Sequence, residues 1–143
     1  MKNIVVIILG LFLSFQGFTQ KTADTVVSNN PKKLKLKVLY FHITHRCNTC
    51  FSIEANVRKT LNEYFKNEID SGIIDLYVLD CELPINKEIA NKYDAFGATL
   101  ALTTYTNKTE LKTEDLTNWA FQKIHNPEIF ILELKTKIEI LLK

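Results

Sequence analysis

Apolar and polar positions divide the chain into stretches of different character. Ile4 to Phe15 is apolar apart from Gly10 and Ser14, after the short positive start Met1-Lys2-Asn3. A membrane-crossing helix needs about 20 apolar residues, and this shorter run has the length of a secretory h-region. Gly17-Phe18-Thr19 is the best small-x-small triplet behind it. The pattern therefore predicts a signal peptide over 1–19, with an uncleaved N-terminal anchor as the alternative. No cysteine lies near that boundary to take a lipid. Both readings export the rest of the chain to an oxidising compartment, the bacterial periplasm or cell envelope. Residues 20–33 are polar and aperiodic, with Asn29-Asn30-Pro31 near their end, and read as a flexible linker.

From Leu34 the pattern becomes that of a single domain, 34–143. Leu34 to Val38 alternates apolar residues with lysine, then Val38 to Phe41 is continuously apolar, which predicts a strand running into a buried sheet position. Ile53, Val57, Leu61 and Tyr64/Phe65 recur at helical spacing and predict an amphipathic helix from Asn48 to about Lys66, stopped by Asp70-Ser71-Gly72. Ile73 to Leu79, rich in β-branched and aromatic residues, predicts a central strand. A short helix over Lys87–Tyr93 follows, then a strand over Leu100–Tyr105, a turn at Asn107-Lys108 and a polar edge strand over Glu110–Lys112. Thr113 to Ile124 is expected as a helix with Leu116, Trp119, Ala120 and Ile124 on one face. Asn126-Pro127 then breaks and restarts it: Asn caps and Pro suits the first helical position. The order β-α-β-α-β-β-α-α makes an α/β sandwich around a small mixed sheet.

Composition narrows the function classes. In 143 residues, 46% are hydrophobic and 24% charged, ordinary values for one globular domain. Lys plus Arg total 18 against 16 for Asp plus Glu, a net charge of +2. Nucleic-acid binding is not expected at that balance, because phosphate neutralisation needs a basic excess on one face. Membrane contact is expected only through the N-terminal segment, if it stays uncleaved. Three cysteines are too few for a disulfide-stapled scaffold.

The chemistry concentrates between His42 and Cys50: His42-Ile-Thr-His45-Arg46-Cys47-Asn48-Thr49-Cys50. Positions i and i+3 share a helix face, with Cα atoms about 5 Å apart, inside the range of about 4.4–6.8 Å a disulfide accepts. The pair can therefore open and close on a fixed backbone. Cys47 falls at the helix N-cap, where free N–H groups favour a thiolate, with Arg46 and His45 as neighbouring positive charges. Cys50 falls one turn in on the buried face, where its pKa should rise. An exposed attacking sulfur and a protected resolving sulfur make a dithiol exchange site. The alternatives are a structural disulfide and thiolate metal binding. His42, His45, Cys47 and Cys50 supply four N and S donors, although a strand-end His42 converges poorly with the rest. Two thiolates alone suit copper(I), trivalent arsenic or half of a bridging iron–sulfur cluster.

A Cys-x-x-Cys at the first strand–helix junction of this element order resembles the thioredoxin-like superfamily, over Leu34 to the C-terminus. More narrowly, Tyr40-Phe-His-Ile-Thr-His-Arg-Cys-Asn-Thr-Cys50 and Leu116-Thr-Asn-Trp-Ala-Phe121 with Asn126-Pro127 are similar to small exported proteins. These are known as the thioredoxin-like subunit of nitrophenyl-compound nitroreductases, a label tied to arsenic-resistance clusters. The wider resemblance implies a thioredoxin-like three-layer sandwich with a central mixed four-stranded sheet and flanking helices. It also implies thiol–disulfide exchange with a protein partner, no cofactor beyond the Cys47–Cys50 pair, and a substrate groove lined by Thr99 and Ala98. The narrower one implies an accessory subunit, with nitro reduction in a partner.

Three departures stand out. Asn48-Thr49 replaces the usual dipeptide between the cysteines. The acid that thioredoxins bury six residues before the first cysteine corresponds to Phe41, leaving His42 or water to accept the Cys50 proton. Thr99 replaces a cis-proline. Outside the motif, Cys81 reads as core packing and His125 as a helix C-terminal cation.

Overall fold

Strand β1 (Leu36–His42) is the axis of the domain. In the computed structural model, which describes residues 33–143, it pairs in parallel with β2 (Ile74–Asp80) and antiparallel with β3 (Thr99–Thr106). Strand β4 (Thr109–Asp115) pairs antiparallel with β3, so the sheet is mixed and ordered β2-β1-β3-β4. The expected signal peptide and all of the expected linker but Lys33 lie outside the described residues.

Alternation along β1 builds two unequal cores. Leu36, Val38 and Tyr40 point to the face covered by α1 (Asn48–Tyr64), α4 (Thr117–Lys123) and α5 (Pro127–Leu142). There they join Ile53, Val57, Leu61, Ala120, Phe130, Leu134 and Ile138 in the main core. Leu39 and Phe41 point the other way, against Ala90 of α3 (Lys87–Lys92) and Ala95. Helices on both faces of a mixed four-stranded sheet give the expected three-layer α/β sandwich.

The expected elements form, but β2, expected as a central strand, lies at an edge of the sheet with β1 as its one neighbour among the described residues, and several boundaries shift for local causes. The first helix stops at Tyr64. Phe65 turns to φ −130°, buries its ring, and a separate α2 (Lys66–Asp70) follows. Thr113 to Asp115, expected as the start of a helix, instead completes β4: Thr113 pairs with Thr103 and Asp115 with Ala101. The Thr103–Thr113 hydroxyl contact at 2.9 Å and the β3 ladder outweigh helical spacing there. Helix α4 then starts at Thr117, whose N–H donates to the Asp115 carboxylate at 2.7 Å. The Asn107-Lys108 turn is present, both residues at positive φ (49° and 70°), as a twisted two-residue hairpin requires. Asn126 caps α5 as expected, accepting from the Ile129 N–H.

The registers bring four chain segments to one end of the sheet. His42 lies opposite Asp80, Phe41 opposite Thr99, and Ala101 opposite Asp115. The loop carrying the cysteines crosses this end.

Candidate active site around Cys47 and Cys50

Cys47 is the N-cap residue of α1, extended at φ −85° and ψ 165° and exposed, while Cys50 is buried one turn in. Their Sγ atoms are 2.9 Å apart and both are free thiols. No side-chain oxygen caps α1, and no acid stands in its first turn. The Cys47 sulfur therefore occupies the place of a capping oxygen. A hydrogen bond from the Cys50 thiol, joined by the backbone N–H groups of Cys50 and Thr49, holds Cys47 below the ordinary thiol range. Burial pushes Cys50 up, and sharing its hydrogen with Cys47 pushes it further. One sulfur is thus set to attack and the other to keep its proton.

The surroundings assign some flanking residues differently from the sequence. Arg46 was expected to support the Cys47 thiolate, but its guanidinium turns toward Cys50 and α1. It pairs with Glu54 at 2.5 Å, lies 4.4 Å from the Phe51 ring centroid, and donates to the Cys50 carbonyl at 3.3 Å. The Tyr40 hydroxyl donates to the same carbonyl at 2.9 Å. Burial pushes that hydroxyl far above its usual value. Phe41, counted from the cysteine as the counterpart of the buried acid, faces α3 instead, its ring 5.5 Å from Tyr93. The strand residues on the cysteine face are Tyr40 and His42, because side chains alternate. His42 is buried at 8% exposure; its Nδ1 donates to the Ile43 carbonyl and its Nε2 has no partner among the described residues.

His45 is exposed on the loop. Beside it Thr44 is doubly anchored, its N–H donating to Glu82 and its hydroxyl to Asp80, each at 2.8 Å. Thr99 opens β3 opposite Phe41, and Ala98 packs against the main core, so both lie at the cysteine end of the sheet. Cys81 is at that end too: its N–H donates to the His42 carbonyl at 2.8 Å. Its side chain, half-buried, packs on the opposite face with Leu39 and Phe41, close to the core role expected of it. Among the described residues no group of three or more His, Cys, Asp or Glu side chains is placed to hold a metal. The set His42, His45, Cys47 and Cys50 is therefore not gathered as ligands. His125 lies exposed in the turn after α4.

Tyr40, Glu54 and Asp80 were missed from sequence. Glu54 was visible as the residue one turn beyond Cys50 and one turn before Arg58. Tyr40 was hidden by counting residues rather than strand faces.

Among solved structures, the chain is similar to thioredoxin O2 from Arabidopsis thaliana in its oxidized state, at 16% identity and TM-score 0.46, covering 76% of each chain. It is similar to Fasciola hepatica thioredoxin at 18% identity and TM-score 0.42, over 64% of this chain and 79% of that one. For Chlamydomonas reinhardtii thioredoxin f2 the values are 20% and 0.40, over 67% and 83%. No family model matches the chain, and no curated protein matches it.

Proposed function

We propose that this domain exchanges a dithiol for a disulfide with a protein partner. The observation that carries the reading is the Cys47–Cys50 pair, 2.9 Å apart across the first turn of α1, one sulfur exposed and the other buried. The Cys47 thiolate attacks a partner disulfide, forming a mixed disulfide and releasing one partner thiolate. Cys50 then attacks the Cys47 sulfur, the mixed bond breaks, and the second partner thiolate leaves. Two electrons pass from protein to partner; the reverse sequence oxidises the partner instead. Thr99 and Ala98 border the groove that takes the partner's chain.

The apolar run Ile4–Phe15 supports export, with the mature chain beginning near Gln20 or Lys21. The motif Tyr40–Cys50 supports the narrower assignment, in which this chain serves a nitro-reducing partner through its thiols.

The test is trapping. Cys50→Ala should accumulate a mixed disulfide with the partner, Cys47→Ala almost none. Equal trapping by both variants contradicts the assignment. The reduction potential of the pair sets the direction: near −270 mV it works as a reductant, near −120 mV as an oxidant.

A further inference from the structure

Two donors converge on one acceptor beside the buried cysteine. Arg46 Nη2 lies 3.3 Å from the Cys50 carbonyl oxygen and the Tyr40 hydroxyl 2.9 Å from it. The guanidinium is fixed in place. It is ion-paired to Glu54, laid on the Phe51 ring, and only 11% of its side chain is exposed. Glu54 is held in turn by Arg58 at 2.7 Å.

We propose that Arg46 is a positioning residue for the resolving cysteine, placing its permanent charge where it favours the Cys50 thiolate in the second step of exchange. The inference rests on the exchange reading above and concerns which sulfur Arg46 serves.

The chemistry requires such a group. Cys50 must lose its proton before it can attack, and burial opposes that. The titratable and charged groups gathered around it are Tyr40 and His42 from β1, Arg46 and Cys47 from the loop and N-cap, and Glu54 and Arg58 from α1. Of the neutral and anionic ones, Tyr40 and Glu54 are poor bases, and His42, with its Nε2 unpartnered among the described residues, is the one able to take a proton. Tyr40 already spends its proton on the Cys50 carbonyl, and burial makes its hydroxyl a weaker acid still. Burial pushes Glu54 up, but hydrogen bonds from Arg58 and Arg46 outweigh it and hold the carboxyl below the usual range, so it is a poor proton acceptor. Whichever group or water takes the proton, the charge left on Cys50 needs a counter-charge. Burial and the hydrogen shared with Cys47 raise the Cys50 thiol most, and against them the nearby Arg46 charge pulls it down to a smaller degree, whereas the groups that lower Cys47 most are Cys50 and Thr49. Partial burial strengthens that pull by excluding water from the path.

In the step itself, the Cys50 thiolate attacks Cys47 Sγ of the mixed disulfide. The Cys47–partner bond breaks, the Cys47–Cys50 bond forms, and the partner sulfur leaves as a thiolate. The proton shed by Cys50 goes to His42 or water and from there to the departing sulfur. The partner disulfide is the oxidant and gains both electrons.

The experiment uses reduced protein carrying Cys81→Ser, which silences the third thiol, mixed with the chromogenic disulfide dithiobis(nitrobenzoate). The first aromatic thiolate released reports attack by Cys47 and the second reports resolution by Cys50. Arg46→Gln should leave the first phase nearly unchanged and slow the second about threefold: a thiol pKa moved up by about one unit removes about nine-tenths of the thiolate, offset in part by its greater nucleophilicity. The pH midpoint of the second phase should rise with it. Arg46→Lys, which keeps the charge, should recover most of the second phase. Glu54→Gln, which removes the anion and leaves Arg46, should not slow it. If Arg46→Gln slows both phases equally, or if Arg46→Gln and Glu54→Gln slow the second phase alike, the role is structural and the proposal falls. A parent protein with no second phase overturns the exchange reading itself.

Discussion

The hydroxyl of Tyr40 donates to the carbonyl of Cys50 at 2.9 Å, tying the middle of the central strand to the first turn of α1. Tyr40 is 1% exposed, so the bond is made away from water. It fixes the depth at which the helix start, and with it both sulfurs, sits above the sheet. Tyr40→Phe removes the donor while keeping the ring. We expect about 1 kcal/mol of destabilisation, because Arg46 still serves the carbonyl, with β1 and its core neighbours unchanged. Urea unfolding gives the loss, and an unaltered midpoint contradicts it.

The two thiols should separate on a pH scale. Rates of alkylation against pH, followed for each cysteine by peptide mass, should place Cys47 below and Cys50 above the free thiol value of roughly 8.5. The cause is the hydrogen bond between them, and Cys50→Ala should therefore raise Cys47 toward that value. A Cys47 profile unaffected by the loss of Cys50 would show that backbone N–H groups act alone.

Acid should weaken the Arg46–Glu54–Arg58 network. The Glu54 carboxyl titrates below its unfolded value of about 4.3, since the two arginine hydrogen bonds outweigh burial. Its stabilising contribution is thus fully present above that value and lost as pH falls through the lower folded one. Glu54→Gln should be less stable than the parent at neutral pH and approach it as pH drops below about 4. Parallel unfolding curves at both pH values refute this.

Core and rim should respond very differently to truncation. Phe130 is fully buried with its ring 4.7 Å from Trp119, and Phe130→Ala should cost about 3–5 kcal/mol. Phe96 is 77% exposed in the loop before β3, and Phe96→Ala should stay within about 0.5 kcal/mol. Thermal melting of the two variants side by side checks both.

Strong periodicity was legible and side-chain direction at short range was not. The spacing of Ile53, Val57 and Leu61 placed α1, and the Cys47–Cys50 spacing placed the dithiol across its first turn, because both depend on helix geometry alone. Thr113–Asp115 escaped because its helical spacing competes with a ladder to Thr103 and Ala101 that only tertiary pairing supplies. Arg46 was assigned by adjacency in the chain. Its direction is decided by Glu54 and Phe51, which lie on the helix face turned toward it. That Phe41 faces α3 and Tyr40 the cysteines follows from the alternation of β1, which a count of residues back from Cys47 does not reveal.

Strand β4 closes one side of the sheet with Glu110, Lys112 and Glu114, and its extra residue, Leu111, interrupts the register between Thr104 and Tyr105. Charges and a bulge on an outer strand discourage another chain from adding to it. In the exchange proposed above, a partner is held through one sulfur bond to Cys47 and let go when Cys50 displaces it. On this side of the molecule, strand pairing would therefore add nothing to that bond, and letting go would depend on the sulfurs alone.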